Sequence, residues 1–79
     1  MKVEVRLFAY LDKYLPSNAR GKRATLELSN STRADTIIKQ LGIPEELASI
    51  VLVNGIHSSS ETELKEGDVV SFFPPIAGG

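Results

Sequence analysis

The residue best suited to chemistry is the last one. The chain closes on FFPPIAGG, Phe72 to Gly79, with a Gly-Gly pair beyond a Pro-Pro step. Glycine lacks Cβ, so a backbone ending in Gly78-Gly79 can thread a channel too narrow for any side chain and bend within it. Such an end suits a chain whose own terminal carboxylate, on Gly79, is the reactive group. Pro74 and Pro75 fix φ and favour an extended course, which limits the chain entropy lost when a tail inserts. Ile76 offers an apolar grip partway along, and Ala77 is small where the channel narrows. From Pro74 to Gly79 the chain reaches about 20 Å at roughly 3.3–3.6 Å per residue, far enough to enter a buried pocket of another subunit. The competing reading is a frayed, solvated end, the usual condition of chain termini.

Little else has the makings of a reactive centre. There is no cysteine, so disulfides, thiolate metal sites and a nucleophilic thiol are excluded, and any sulfur chemistry must use sulfur brought from elsewhere. His57 is the sole histidine. With no second histidine or clustered carboxylates near it to form a metal site or a general base, it reads as an ordinary residue after a hairpin. Arg20, Lys22 and Arg23 form the one basic cluster. It can contact a phosphate or an acidic partner, but loop charges are mostly just solvated, and that reading is taken. Glu45-Glu46, Glu61 and Glu63 read as surface acids. The net charge of −1 argues against a nucleic-acid binder, which normally shows a basic excess. The opening MKVEVRLFAYL alternates charge with apolar residues, so neither a signal peptide nor a membrane span is expected, and the cytoplasm is the expected location.

The elements that must position the tail follow from hydrophobic period. Seventy-nine residues make one domain, near the size where a core is barely adequate without staples. A flexible tail is expected over 74–79. Lys2 to Ala9 reads as a strand with Val3, Val5 and Leu7 on one face and Glu4, Arg6 and Phe8 on the other. Tyr10 to Leu15 can make one irregular turn before Pro16, and Ser17 to Lys22 reads as loop. Arg23 to Leu28 is a second strand, alternating Ala24, Leu26 and Leu28 against Thr25 and Glu27. The period then changes. Thr32 and Asp35 suggest a capping box, and Ala34, Ile37, Ile38 and Leu41 form the apolar stripe of a helix of about ten residues. Gly42 ends it and Pro44 prevents its continuation. Ile50 to Val53 leads into Asn54-Gly55, a tight hairpin signal, with a brief return strand at Ile56-His57. Leu64 to Asp68 turns into the last strand, Val69 to Phe73. One helix on a mixed sheet of four to five strands is an α+β roll, in which the two terminal strands can lie centrally and parallel.

Alternation also leaves apolar residues on the wrong face. If Val70 and Phe72 point to the helix, Phe73 points away, as does Phe8, and the run Val51-Leu52-Val53 must turn one residue outward. Phe8, Leu52 and Phe73 are then expected to form an exposed patch beside the root of the tail. Either the segment Tyr10 to Pro16 covers them or they form a partner interface; the interface is the favoured reading.

The order of elements, the helix opening STRADTIIKQLGIPEE, the hairpin LVNG, the turn LKEGDVV and the tail FFPPIAGG together resemble the MoaD/ThiS family of β-grasp, ubiquitin-like sulfur carriers. The likeness covers the whole chain. Pro-Pro-hydrophobic-X-Gly-Gly after an aromatic pair looks more like the molybdopterin-synthase small subunit than the thiazole-forming carrier. The resemblance implies a cycle in which an adenylating enzyme of the ubiquitin-activating type uses ATP on the Gly79 carboxylate. A sulfur donor protein then displaces AMP to leave a thiocarboxylate. The tail finally inserts into the synthase large subunit and gives its sulfur to a pterin precursor, for a molybdenum or tungsten cofactor. This subunit would contribute the sulfur rather than catalytic machinery, and no metal or bound cofactor of its own is implied. Three alternatives stay open: a carrier for thiamine thiazole synthesis, a modifier joined to lysines through Gly79, and a β-grasp binding module with an inert tail.

Overall fold

The computed structural model describes residues 1–75. Five strands form one mixed sheet: β1 (Lys2–Leu7), β2 (Arg23–Glu27), β3 (Ile50–Val53), β4 (Ile56–Ser58) and β5 (Val69–Phe73), in the order β2-β1-β5-β3-β4. One α-helix, α1 (Ala34–Gln40), and two 3₁₀ helices, Ala9–Tyr14 and Glu45–Leu47, complete the described elements. β1 and β5 lie side by side and parallel, with Val5 opposite Val70 and Leu7 opposite Phe72. The other pairings are antiparallel. The terminal strands are therefore central, as the roll requires.

Each strand alternation lands as its sequence directs. Val3, Val5, Leu7, Val70 and Phe72 are at most 1% exposed, and Ala24, Leu26 and Val51 are buried beside them. α1 contributes Ala34, Ile37 and Ile38 to the same core. After β1 the chain turns through Ala9, a non-glycine residue at φ +52°. That turn carries Leu11 into the core at 0% exposure, with Tyr14 and Leu15 packed against it. The segment Tyr10 to Pro16 thus serves the core.

The start of α1 departs from the expected capping box. Thr32 Oγ1 donates to the Ser29 carbonyl at 2.6 Å, the N-cap position falls on Arg33, and no side chain caps it. Backbone from a distant loop does that work instead: the Ala34 N–H donates to the Thr62 carbonyl at 3.0 Å and the Asp35 N–H to the Ser60 carbonyl at 2.7 Å. These bonds satisfy donors that every helix N-terminus leaves orphaned. Asp35 ion-pairs with Arg33. That hydrogen bond holds its carboxyl below the ordinary range, and Arg33 is correspondingly raised. The helix has seven residues rather than about ten. Its end is as expected: Gly42 at φ +75° lets the Ile43 N–H reach back to the Ile38 carbonyl at 3.0 Å, and Ile43 buries beside it. This is a Schellman motif with its apolar contact.

At the β3–β4 hairpin, Asn54 and Gly55 both have positive φ, +54° and +81°, the signature of a type I′ turn. The Asn54 side chain also ties this hairpin to the turn before β5. Its Nδ2 donates to Asp68 Oδ1 at 2.9 Å, and its Oδ1 accepts the Val69 N–H at 2.9 Å. The sequence fragments LVNG and EGD are therefore two halves of one junction.

Candidate functional site

β5 runs between β1 and β3, so Phe73 and the two prolines after it stand at the end of a strand in the middle of the sheet. The Phe8 N–H donates to the Phe72 carbonyl at 3.2 Å just before the exit. Pro74, expected within the tail, is buried, whereas Pro75 is exposed; the body holds one residue more than the proline pattern indicates, because the central strand is flanked until its last rung. The tail residues Ile76, Ala77, Gly78 and Gly79 lie outside the described residues.

Around this exit, Phe72 and Phe73 face opposite ways as expected. Phe72 is 0% exposed in the core, and Phe73 is half-buried on the outer face. The register then supplies what alternation does not. Phe73 stacks on Phe8, ring centroids 4.3 Å apart and planes 5° from parallel. The two rings cover one another, so the expected exposed patch is instead half-buried. Leu52, also half-buried, sits one row away, opposite Ser71, while Ile50 stands directly opposite Phe73. Ile50 belongs with the aromatic pair and was not foreseen, since only cross-strand pairing reveals it. Among the described residues, the large apolar side chains most open to water are Tyr10, at 49%, and Ile56, at 70%.

His57 is exposed and opposite Leu52. Among the described residues, no group of three or more histidines or carboxylates is placed to hold a metal ion. No helix of the described residues is long and apolar enough to cross a membrane. Arg20, Lys22 and Arg23, read from sequence as one basic cluster in solvent, are exposed and line one groove together with Arg6 and Phe8.

What this arrangement can do follows from its shape. Among the described residues, the grooves at the surface are open rather than enclosed by acid–base groups, and the sheet presents a central strand with an aromatic pair at its end.

Comparisons with known proteins agree with that architecture. The ThiS family profile matches residues 5–79. No curated protein matches the chain. A candidate molybdopterin converting factor subunit 1 of Pyrococcus furiosus is similar in structure, with a TM-score of 0.67, 28% identity and coverage of 95% of this chain and 98% of that one. Subunit 1 in a complex with subunit 2 of the molybdopterin-converting factor from Helicobacter pylori is similar with a TM-score of 0.60, 27% identity and full coverage of both chains. SAMP1 of Haloferax volcanii shares the fold, with a TM-score of 0.69, 22% identity and full coverage of both chains. With the family profile spanning nearly its whole length and the β-grasp strand order beneath it, this chain belongs to the ThiS family and has the fold of the MoaD/ThiS ubiquitin-like sulfur carriers.

Proposed function

We propose that this chain is a sulfur carrier of molybdopterin biosynthesis whose Gly79 carboxylate is adenylated, converted to a thiocarboxylate and used to donate sulfur. The observation that carries the reading is a family match running through the Gly-Gly end, on a body whose central strand leads directly into that end. A free carboxylate is a poor electrophile. Its oxygen attacks the α-phosphorus of ATP on an adenylating partner, pyrophosphate leaves, and the acyl-adenylate now carries AMP as a good leaving group. A sulfide equivalent from a sulfur donor protein adds to the carbonyl and expels AMP.

The likeness to subunit 1 of molybdopterin-converting factors supports a pterin-pathway large subunit as acceptor. Counting from the exposed Pro75, five residues extend about 17 Å at roughly 3.4 Å each, which suits insertion into a partner's buried pocket. Phe8, Phe73 and Leu52, with Ile50 added by the register, form the docking face at the tail's root.

Mass spectrometry of the chain isolated from its native host tests the reading. A C-terminal oxygen replaced by sulfur is the expected result. Deleting Gly79 should leave circular dichroism unchanged and abolish the AMP-linked product with ATP and the activating enzyme. Adenylation of the shortened chain at the full rate would remove Gly79 from the mechanism. Species joined to lysines of other proteins would point to a modifier instead.

A further inference from the structure

Three arginines stand side by side across the outer face of the sheet. Arg6 of β1 is opposite Arg23 of β2, and Arg23 is opposite Arg20 across the Gly21-Lys22 turn. The turn is closed by two backbone bonds, Arg20 N–H to the Arg23 carbonyl at 2.9 Å and Arg23 N–H to the Arg20 carbonyl at 3.3 Å. Gly21 takes φ +62° to make it. Residues exchanging both bonds sit about 5.5 Å apart at Cα with side chains on one side of the sheet. Arg20, Arg23 and Arg6 therefore occupy successive cross-strand positions on one face. Left alone, such a row is unfavourable, because like charges directly opposite each other repel.

The chain does little to neutralise it. Glu4 pairs with Arg6 at 2.5 Å. Among the described residues neither Arg20 nor Arg23 has an ion-pair partner, and Lys22 meets Asp12 only at 3.4 Å on the exposed surface. The row lines a groove of about 500 Å³ together with Phe8, Gly21 and Lys22. Phe8 is the link to the tail's root, since its ring both lines this groove and stacks on Phe73. Cations are thus gathered beside the exit of the tail in a protein whose net charge is −1.

We propose that this groove docks a carboxylate-rich segment of the protein that receives the tail; the sulfur-carrier reading supplies only that partner's role. Guanidinium forks match carboxylates in bidentate geometry, and a row of them matches acids spaced along a peptide. Arg20, Lys22 and Arg23 are exposed, so a small free anion in the groove stays in water and is screened by salt. A protein segment laid across it excludes water and joins the contact at Phe8 and Phe73. The net charge does not suit nucleic acid. Complementary charge here would steer the approach and set the register of docking.

Backbone NMR of the labelled chain tests this with three probes at matched ionic strength: an end-blocked hexaglutamate peptide, sodium phosphate and sodium chloride. The peptide should shift the amides of residues 20–23, Arg6 and Phe8 saturably, leaving Lys39 and Lys65 unmoved. Arg20→Gln and Arg23→Gln should each weaken the peptide about two- to fivefold, the range for an exposed ion pair. Both variants should keep or raise the melting temperature, since each removes a like charge from the row. Equal shifts with chloride, shifts spread over all lysines, or unchanged affinity in both variants would overturn the proposal. Saturation by phosphate at the same residues and affinity would make this a small-anion site and overturn it too. The titration is repeated on the chain lacking Gly79, where the peptide shifts should persist. Loss of the carrier reading would show in the sulfur assays alone, and loss of the groove in the titration alone.

Discussion

Replacing Phe73 by alanine separates the outer face of the last strand from the core. Phe72 is fully buried, so Phe72→Ala is a core truncation costing about 3–5 kcal/mol. Phe73 is half-buried and stacked on Phe8 at 4.3 Å. Incomplete burial of an aromatic side chain is worth about 1–2 kcal/mol, and the stacked geometry adds about another 1 kcal/mol. Phe73→Ala should therefore cost about 2–3 kcal/mol, or roughly 8–24 °C in melting temperature for a domain of this size. Whole-domain stability on the order of 4–12 kcal/mol leaves this variant folded and leaves Phe72→Ala near the edge of folding. Urea denaturation of Phe8→Ala, Phe73→Ala and the double variant isolates the stack, with an expected coupling of about 0.5–1.5 kcal/mol. The same Phe73→Ala chain should bind the proposed large-subunit partner about 1–3 kcal/mol more weakly. Equal costs for Phe72 and Phe73, or a coupling near zero, would refute both the assignment of faces and the stacked pair.

Gly78→Val should fold normally by circular dichroism yet fail in adenylation and, when supplied as synthetic thiocarboxylate, in sulfur donation; normal donation would sink the threading of a side-chain-free end. Asn54→Ala removes both side-chain bonds to Asp68 and Val69 and places alanine at φ +54°. It should cost about 1–3 kcal/mol in urea unfolding, and a cost near zero would show that the junction contributes nothing. The folded Asp35 carboxyl lies below its ordinary range because of Arg33. Its contribution is therefore complete above about pH 4, the unfolded value, and fades as pH falls through the lower folded value. Asp35→Asn should flatten the acid limb of a plot of urea midpoint against pH, by a small amount because its partner Arg33 is exposed and screened by solvent; an unchanged slope would mean the pair adds nothing.

Much of the fold was legible because its signals are local. The alternation of Val3, Val5 and Leu7, the stripe Ala34, Ile37 and Ile38, the stop at Gly42 and the turn at Asn54-Gly55 each depend on a few neighbouring residues. So does the opposition of Phe72 and Phe73, since side chains along a strand must alternate. The Gly-Gly end and its proline step are equally a property of the chain alone.

Other features exist only where distant segments meet. The start of α1 is completed by Ser60 and Thr62 carbonyls, so its local cap signal at Thr32 misled. Pro74 is buried because β5 lies in the middle of the sheet. Ile50 faces Phe73, Phe8 lies on Phe73, and Arg6, Arg23 and Arg20 line up because of pairing register. A strand's sequence says which residues share a face. Which residue stands beside which depends on how strands far apart in the chain hydrogen-bond to one another, and a slip of one position would move every neighbour.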